Sequence, residues 1–264
     1  MGSEIITLKV CANEHNPHEE AAIFSIHKDL LASSSRRFAK MVQSSTNRPG
    51  LVYKIHDTCP AVFKLFNEYL YKQVVPGVTR NLTSVQQGSR LAELCQLYVF
   101  AEMFEMDHVF LNKIMDKIQD GLRTTGKILP AFLVKNIYEH AETTSLLRKF
   151  CVATTLYAIT SQGLDDPDLK LLLRANDDFF DEFTRYIVAT VKHHPDPRVR
   201  ESFHEIAARR ELTESSEAGF NSHTGTGGVH PCQFHIHPQG DGTEDSLAES
   251  RYEVSGCYLL LDGQ

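Results

Sequence analysis

Three short apolar alternations, all within the first 55 of 264 residues, constrain the fold most. Ile6, Leu8 and Val10 alternate with Ile5, Thr7 and Lys9. Ala22, Phe24 and Ile26 repeat the pattern after a polar turn, Asn13-Glu14-His15-Asn16-Pro17, and Leu51, Tyr53 and Ile55 make a third run. Side chains that change face at every residue belong to strands. From Thr58 onward the apolar spacing is helical. A sheet of three short strands followed by helices points to the α+β class. Because Ile5 lies beside Ile6, and Phe24 near Ile26, the sheet is expected to need helices over both faces.

Between the second and third strands, Leu30, Leu31, Phe38, Met41 and Val42 fit two short helices around Ser33-Ser34-Ser35. Thr58-Cys59-Pro60 opens the next helix, with Pro in the first turn where its missing N–H costs nothing. Val62, Phe63, Phe66, Tyr69 and Leu70 form its apolar face. Residues 74–90, with Pro76, Gly77, Gly88 and many small polar residues, are predicted to be a loop. A helix follows with Leu91, Leu94, Cys95, Tyr98, Ala101 and Met103. Asp107 caps another, carrying Phe110, Leu111, Ile114 and Ile118, with Gly121 as its stop. Residues 128–209 are predicted to be all helix, with starts at Pro130, Ser145, Asp166-Pro167 and Asn176-Asp177, a break at His193-His194-Pro195-Asp196-Pro197, and a short charged helix over 198–210.

Composition then divides the chain. Its net charge is −7, yet residues 211–264 hold nine acids and a single base, Arg251, together with 8 of the 15 glycines. This stretch is expected to be disordered and dispensable for folding. The remainder is near neutrality, which does not advertise nucleic-acid binding. No run approaches the roughly 20 apolar residues of a membrane span. Met1-Gly2-Ser3-Glu4 lacks a signal-peptide pattern, so a cytoplasmic or nuclear protein is expected. The six cysteines lack paired spacing and read as free thiols.

The block His27-Lys28-Asp29-Leu30-Leu31-Ala32-Ser33-Ser34-Ser35-Arg36-Arg37-Phe38 resembles the signature of the BTB/POZ domain, with His27, Leu31, Ser35 and Phe38 at its relative spacings. Phe63, Phe66, Leu70 and Tyr71 are similar to the family's apolar helix ending in Leu-Tyr, and Leu91 to Ile118 to its closing helix pair. The resemblance covers roughly residues 3–119, and the helical continuation looks most like fungal BTB proteins. It implies a small, mainly three-stranded sheet surrounded by helices. The chain departs from the family in three places. Glu4 stands where Asp is usual, Tyr71-Lys72-Gln73 replaces Tyr-Thr-Gly, and residues 74–90 lengthen a connection that is often short. So little precedes the first strand that the swapped N-terminal strand of some BTB dimers is not expected.

Domain boundaries follow: a BTB/POZ domain over 1–125, a helical region over 126–210 and an acidic Gly/His-rich tail over 211–264. The resemblance implies a non-enzymatic interaction module that forms homo- or hetero-oligomers, most simply a homodimer, as a scaffold or adaptor. His27, Leu31, Ser35 and Phe38 would carry the family signature. Glu4 and Lys28 occupy the positions of an acid–base pair that lines a charged pocket in some relatives. Val74 and Val75 lie in the connection that adaptors present to a cullin, so the alternative is a substrate adaptor of a cullin-based ubiquitin ligase. Against it, residues 72–90 contain no Glu, whereas adaptors often carry an apolar-x-Glu motif there. A rival from another class is a metal-binding protein using His230, Cys232, His235 and His237. Those ligand types suit zinc, but their spacing is not that of a standard closed site. No cofactor, nucleic acid or membrane partner is expected.

Overall fold

The structure, a computed structural model, describes residues 4–12, 21–43, 52–162, 167–190, 196–200, 228–229 and 234–235. It is of the α+β class and divides into two compact units, Met1–Thr124 with His140–Glu142, and Thr125–Glu139 with Thr143–Gln264.

In the first unit, β1 (Ile5–Val10) is the central strand of a three-stranded mixed sheet in the order β2-β1-β3. β2 (Ala22–His27) pairs antiparallel with β1, matching Ile6 to Ile26 and Leu8 to Phe24. β3 (Val52–Ile55) pairs parallel, matching Leu8 to Tyr53 and Val10 to Ile55. The polar turn before β2, and Leu51, lie outside the described residues. The inner face holds Ile6, Leu8, Val10, Ile26 and Ile55, all buried. The outer face departs from expectation. Ile5 is 59% exposed, Ile23 70% and Val52 45%, so among the described residues no helix covers it.

Helices α1 (Lys28–Ser34) and α2 (Arg36–Gln43) are separated by Ser35, whose backbone is extended. Ser35 Oγ accepts from Phe38 N–H at 3.1 Å, so the serine caps the helix it begins. Phe38 then enters an aromatic core. Its ring stacks on Phe66 of α3 (Pro60–Lys72) at 5.6 Å and on Phe104 at 4.6 Å. α4 (Ser84–Met103) adds Phe100, and α5 (His108–Thr125) adds Phe110, which stacks on Tyr69 at 4.0 Å.

Two helix boundaries differ from the sequence reading. Residues 84–90 are helix, not loop. Thr83 Oγ1 accepts from Gln86 N–H at 3.3 Å while Gln86 Oε1 accepts from Thr83 N–H at 2.9 Å. This reciprocal box satisfies two donors at the helix start and outweighs the weak propensity of Gly88. Gly121 is not a stop, because α5 runs four residues further to Thr125, and Gly126 at φ 66 follows it. The Asp107 cap forms, with Oδ1 accepting from Phe110 N–H at 2.7 Å.

The second unit contains α6 (Ala131–His140), α7 (Leu146–Gln162), α8 (Pro167–Leu173) and α9 (Asp177–Thr190). Asn176 Oδ1 caps α9 by accepting from Phe179 N–H at 3.1 Å. The charged helix expected over 198–210 is replaced at its start by strand β4 (Asp196–Arg200), and 201–210 lie outside the described residues. β4 pairs in parallel with β5 (Gly228–Val229), a pairing across about thirty residues that local periodicity does not reveal. Most of 211–264 also lies outside the described residues. Within it Phe234 is buried, with its ring edge-on to Phe150 at 4.9 Å.

Candidate interaction surface

The sheet's register builds its outer face row by row. Ile5 is opposite His27; Thr7 lies between Ser25 and Val52; Lys9 lies between Ile23 and Lys54. Three β-branched apolar side chains therefore stand in solvent, with two lysines at one end. At the other end is the His27 row, tied to the helices. Tyr71 Oη accepts from His27 N–H at 3.2 Å and lies 2.9 Å from His27 Nδ1. The hydroxyl hydrogen remains available to that nitrogen when it is unprotonated. His27 is the N-cap residue of α1, yet its side chain makes no cap hydrogen bond. It holds the end of α3 to the β2–α1 junction instead.

Beside it, Lys28 Nζ donates to Glu4 Oε2 at 2.9 Å, and Lys28 N–H donates to Glu4 O at 2.9 Å. Both bonds fasten the start of β1 to the start of α1. The hydrogen bond to the Glu4 carboxylate holds the Lys28 ammonium pKa above its ordinary value. Glu4 itself is mostly exposed, so the pair belongs to the surface.

The other residues singled out in the sequence separate cleanly. Leu31, Ser35 and Phe38 are buried in the core, leaving His27 as the signature side chain near the surface. The connection after α3 divides between its two valines: Val74 is 59% exposed and Val75 only 3%. Gln73, which ends α3, adopts φ 56 and donates through its backbone N–H to Tyr69 O at 2.8 Å. Lys113 Nζ donates to Gln73 O at 3.4 Å and stands 5.2 Å from the Tyr69 ring centre. Val109, one helical turn before Lys113, is exposed.

Of the tail residues with zinc-ligand chemistry, His230, Cys232 and His237 lie outside the described residues, and His235 is described without them. Among the described residues no group of three His, Cys, Asp or Glu side chains has the geometry to hold a metal ion.

The second unit holds a buried polar cluster that sequence spacing does not signal. Arg148 Nη2 donates to Glu182 Oε1 at 2.7 Å, Tyr138 Oη donates to Glu182 Oε2 at 2.7 Å, and the guanidinium lies 4.1 Å from the Tyr138 ring centre. Burial, then the hydrogen bond to Glu182, pushes the Tyr138 phenol pKa up. This cluster joins α6, α7 and α9. An i to i+34 ion pair leaves no periodic trace.

No protein-family model matches the sequence, and a search of curated proteins gives no match.

Proposed function

We propose that this chain is a non-enzymatic protein–protein interaction module of the BTB/POZ type that self-associates through the outer face of its sheet and the adjoining surface of α1. The observation that carries the reading is that Ile5, Val52 and Ile23, one in each of three successive rows, stand in solvent on one sheet face. Apolar side chains clustered on a surface and rimmed by charge mark a contact site. The lysines do not oppose self-association. In a twofold contact centred on the Thr7 row, the Lys9 row of one copy meets the Ile5 row of the other.

The family assignment rests on the resemblance and gains support from two positions. Ser35 and Phe38 make a cap and core contact that gives their spacing a physical role. Gln73, standing where the family has glycine, takes a left-handed conformation that glycine favours. The adaptor reading has one observation behind it, exposed Val74 in the connection after α3.

Light scattering on the full chain tests the proposal. A dimer is expected at tens of micromolar, and Ile5→Lys with Ile23→Lys should convert it to a monomer with an unchanged circular dichroism spectrum. A wild-type monomer, or a dimer that persists in the double variant, defeats the assignment of this face.

A further inference from the structure

Just past the ends of the paired strands β1 and β3, a thiol and an imidazole meet. Cys11 Sγ lies 3.5 Å from His56 Nδ1 and 3.6 Å from Ile55 O. The backbone fixes both partners. Cys11 N–H donates to Ile55 O at 3.0 Å, and Thr58 N–H donates to Cys11 O at 3.3 Å. Between His56 and Thr58, Asp57 takes φ 55, a left-handed conformation uncommon outside glycine. Thr58 is buried and its Oγ1 donates to His56 O at 3.2 Å. The histidine is thus held beside the sulfur by a turn anchored at both ends. Cys11 is partly exposed, whereas Cys95 and Cys151 are buried.

We propose that Cys11 is a modification site for hydrogen peroxide, with His56 as its proton acceptor. A thiolate is the nucleophile in such chemistry, and an adjacent base within hydrogen-bond reach supplies it. His56 Nδ1 takes the thiol proton, and the sulfur attacks one peroxide oxygen. The S–O bond forms as the O–O bond breaks. Sulfur loses two electrons and becomes a sulfenic acid; the peroxide is reduced, and its leaving hydroxide takes the proton from His56 to become water. The site is independent of the self-association proposed above, and its test does not involve the oligomeric state.

Cys59 provides the internal reference. It is more exposed than Cys11, and its side chain makes no cap hydrogen bond at the start of α3. Exposure alone therefore predicts that Cys59 reacts first, whereas the imidazole predicts Cys11. The full chain is treated with hydrogen peroxide at neutral pH in the presence of dimedone, and adducts are followed by peptide mass spectrometry. Cys11 is expected to be labelled about tenfold faster than Cys59, and His56→Gln to remove that advantage. Continued protection of Cys95 and Cys151 shows that the variant is folded. If it is not, the ratio in the unaltered chain decides alone. Labelling of Cys59 ahead of Cys11, or a folded His56→Gln variant with an unchanged ratio, overturns the proposal.

Discussion

Gly121 faces Val78 so closely that a Cβ on the glycine would stand 2.9 Å from Val78 Cγ2 and 3.4 Å from Leu91 Cδ1. The glycine lets the loop before α4 lie directly against α5. Gly88, within α4, has nothing within 4 Å of the same added atom. One substitution therefore has opposite signs at the two positions. Gly88→Ala should stabilise by about 0.5–1 kcal/mol through helix propensity. Gly121→Ala forces a buried valine to move and should destabilise by roughly 1–3 kcal/mol. Thermal melts of both variants check this, and a shared sign would contradict the packing.

Phe38 and Phe66 are fully buried and stacked on each other. Each truncated to Ala should cost about 3–5 kcal/mol, because the rigid aromatic surround cannot collapse into the space. As neighbours they should also couple, so the double variant should lose less than the sum of the singles. Guanidinium titration of the three variants measures both. Near-wild-type stability with lost self-association would make them contact residues instead.

How far residues announce their place depends on the range of the interaction. The three strands of the first sheet, the Asp107 cap and the inward positions of Phe38 and Phe66 on their helices follow from patterns within a few residues, and these are where the spacing puts them. Thr83 and Gln86 form a capping box that is also local; the small polar residues around it hid it. Gly121 looked like a stop because its reason is Val78, forty-three positions away. Arg148 and Glu182, or Gly228 beside β4, meet only through tertiary structure. For the candidate surface, the sequence identified Glu4 with Lys28 and located His27. It did not distinguish Val74 from Val75, which are identical side chains with opposite exposure. Nor did it reveal that Ile5 and Ile23 stay uncovered, since an apolar residue on a strand looks the same whether a helix or a partner covers it.

Two buried tyrosines should respond differently to loss of the hydroxyl. Tyr98 Oη has no hydrogen-bond partner among the described residues, whereas Tyr138 Oη donates to Glu182. Tyr98→Phe should leave stability at neutral pH unchanged or raise it by about 1 kcal/mol. Tyr138→Phe removes a bond to a carboxylate and should cost about 1.5–3 kcal/mol. Burial raises both phenols above their ordinary value of 10.0. Below that pH both are neutral whether folded or unfolded, so they add no pH dependence. Above it the unfolded chain releases protons that the folded chain retains, and stability falls as pH rises. Tyr98→Phe should therefore flatten the alkaline loss. Urea midpoints at neutral pH and above 10.0 provide the comparison, and a steeper alkaline loss in the variant would refute it.

Phe234 lies in the acidic Gly-rich stretch, yet it is buried against Phe150. Deleting 211–264 removes that ring and the β5 strand together, so the second unit should lose stability. Phe234→Ala alone should cost about 3 kcal/mol. Limited proteolysis should then cut the variant faster within residues 146–190. Equal cleavage rates would mean that the tail contributes nothing to this unit.

Binding to a cullin should be weak. The adaptor resemblance calls for an apolar anchor and a following carboxylate after α3. Here Val75 is buried in the chain's own core, which leaves Val74 as the anchor. Pro76 restricts Val75 to an extended backbone, and residues 72–90 contain no Asp or Glu. A missing charged hydrogen-bond partner at a desolvated contact costs about 2–5 kcal/mol, or roughly 30- to several thousand-fold in affinity. Calorimetry against a cullin N-terminal domain should give a Kd of about 1 μM or weaker, while light scattering still finds the dimer. The self-association proposed above uses the sheet face and not this connection, so Val74→Asp should abolish any residual cullin binding and leave the proposed dimer intact. A nanomolar complex would instead establish the ligase-adaptor reading, with Val74 as its anchor.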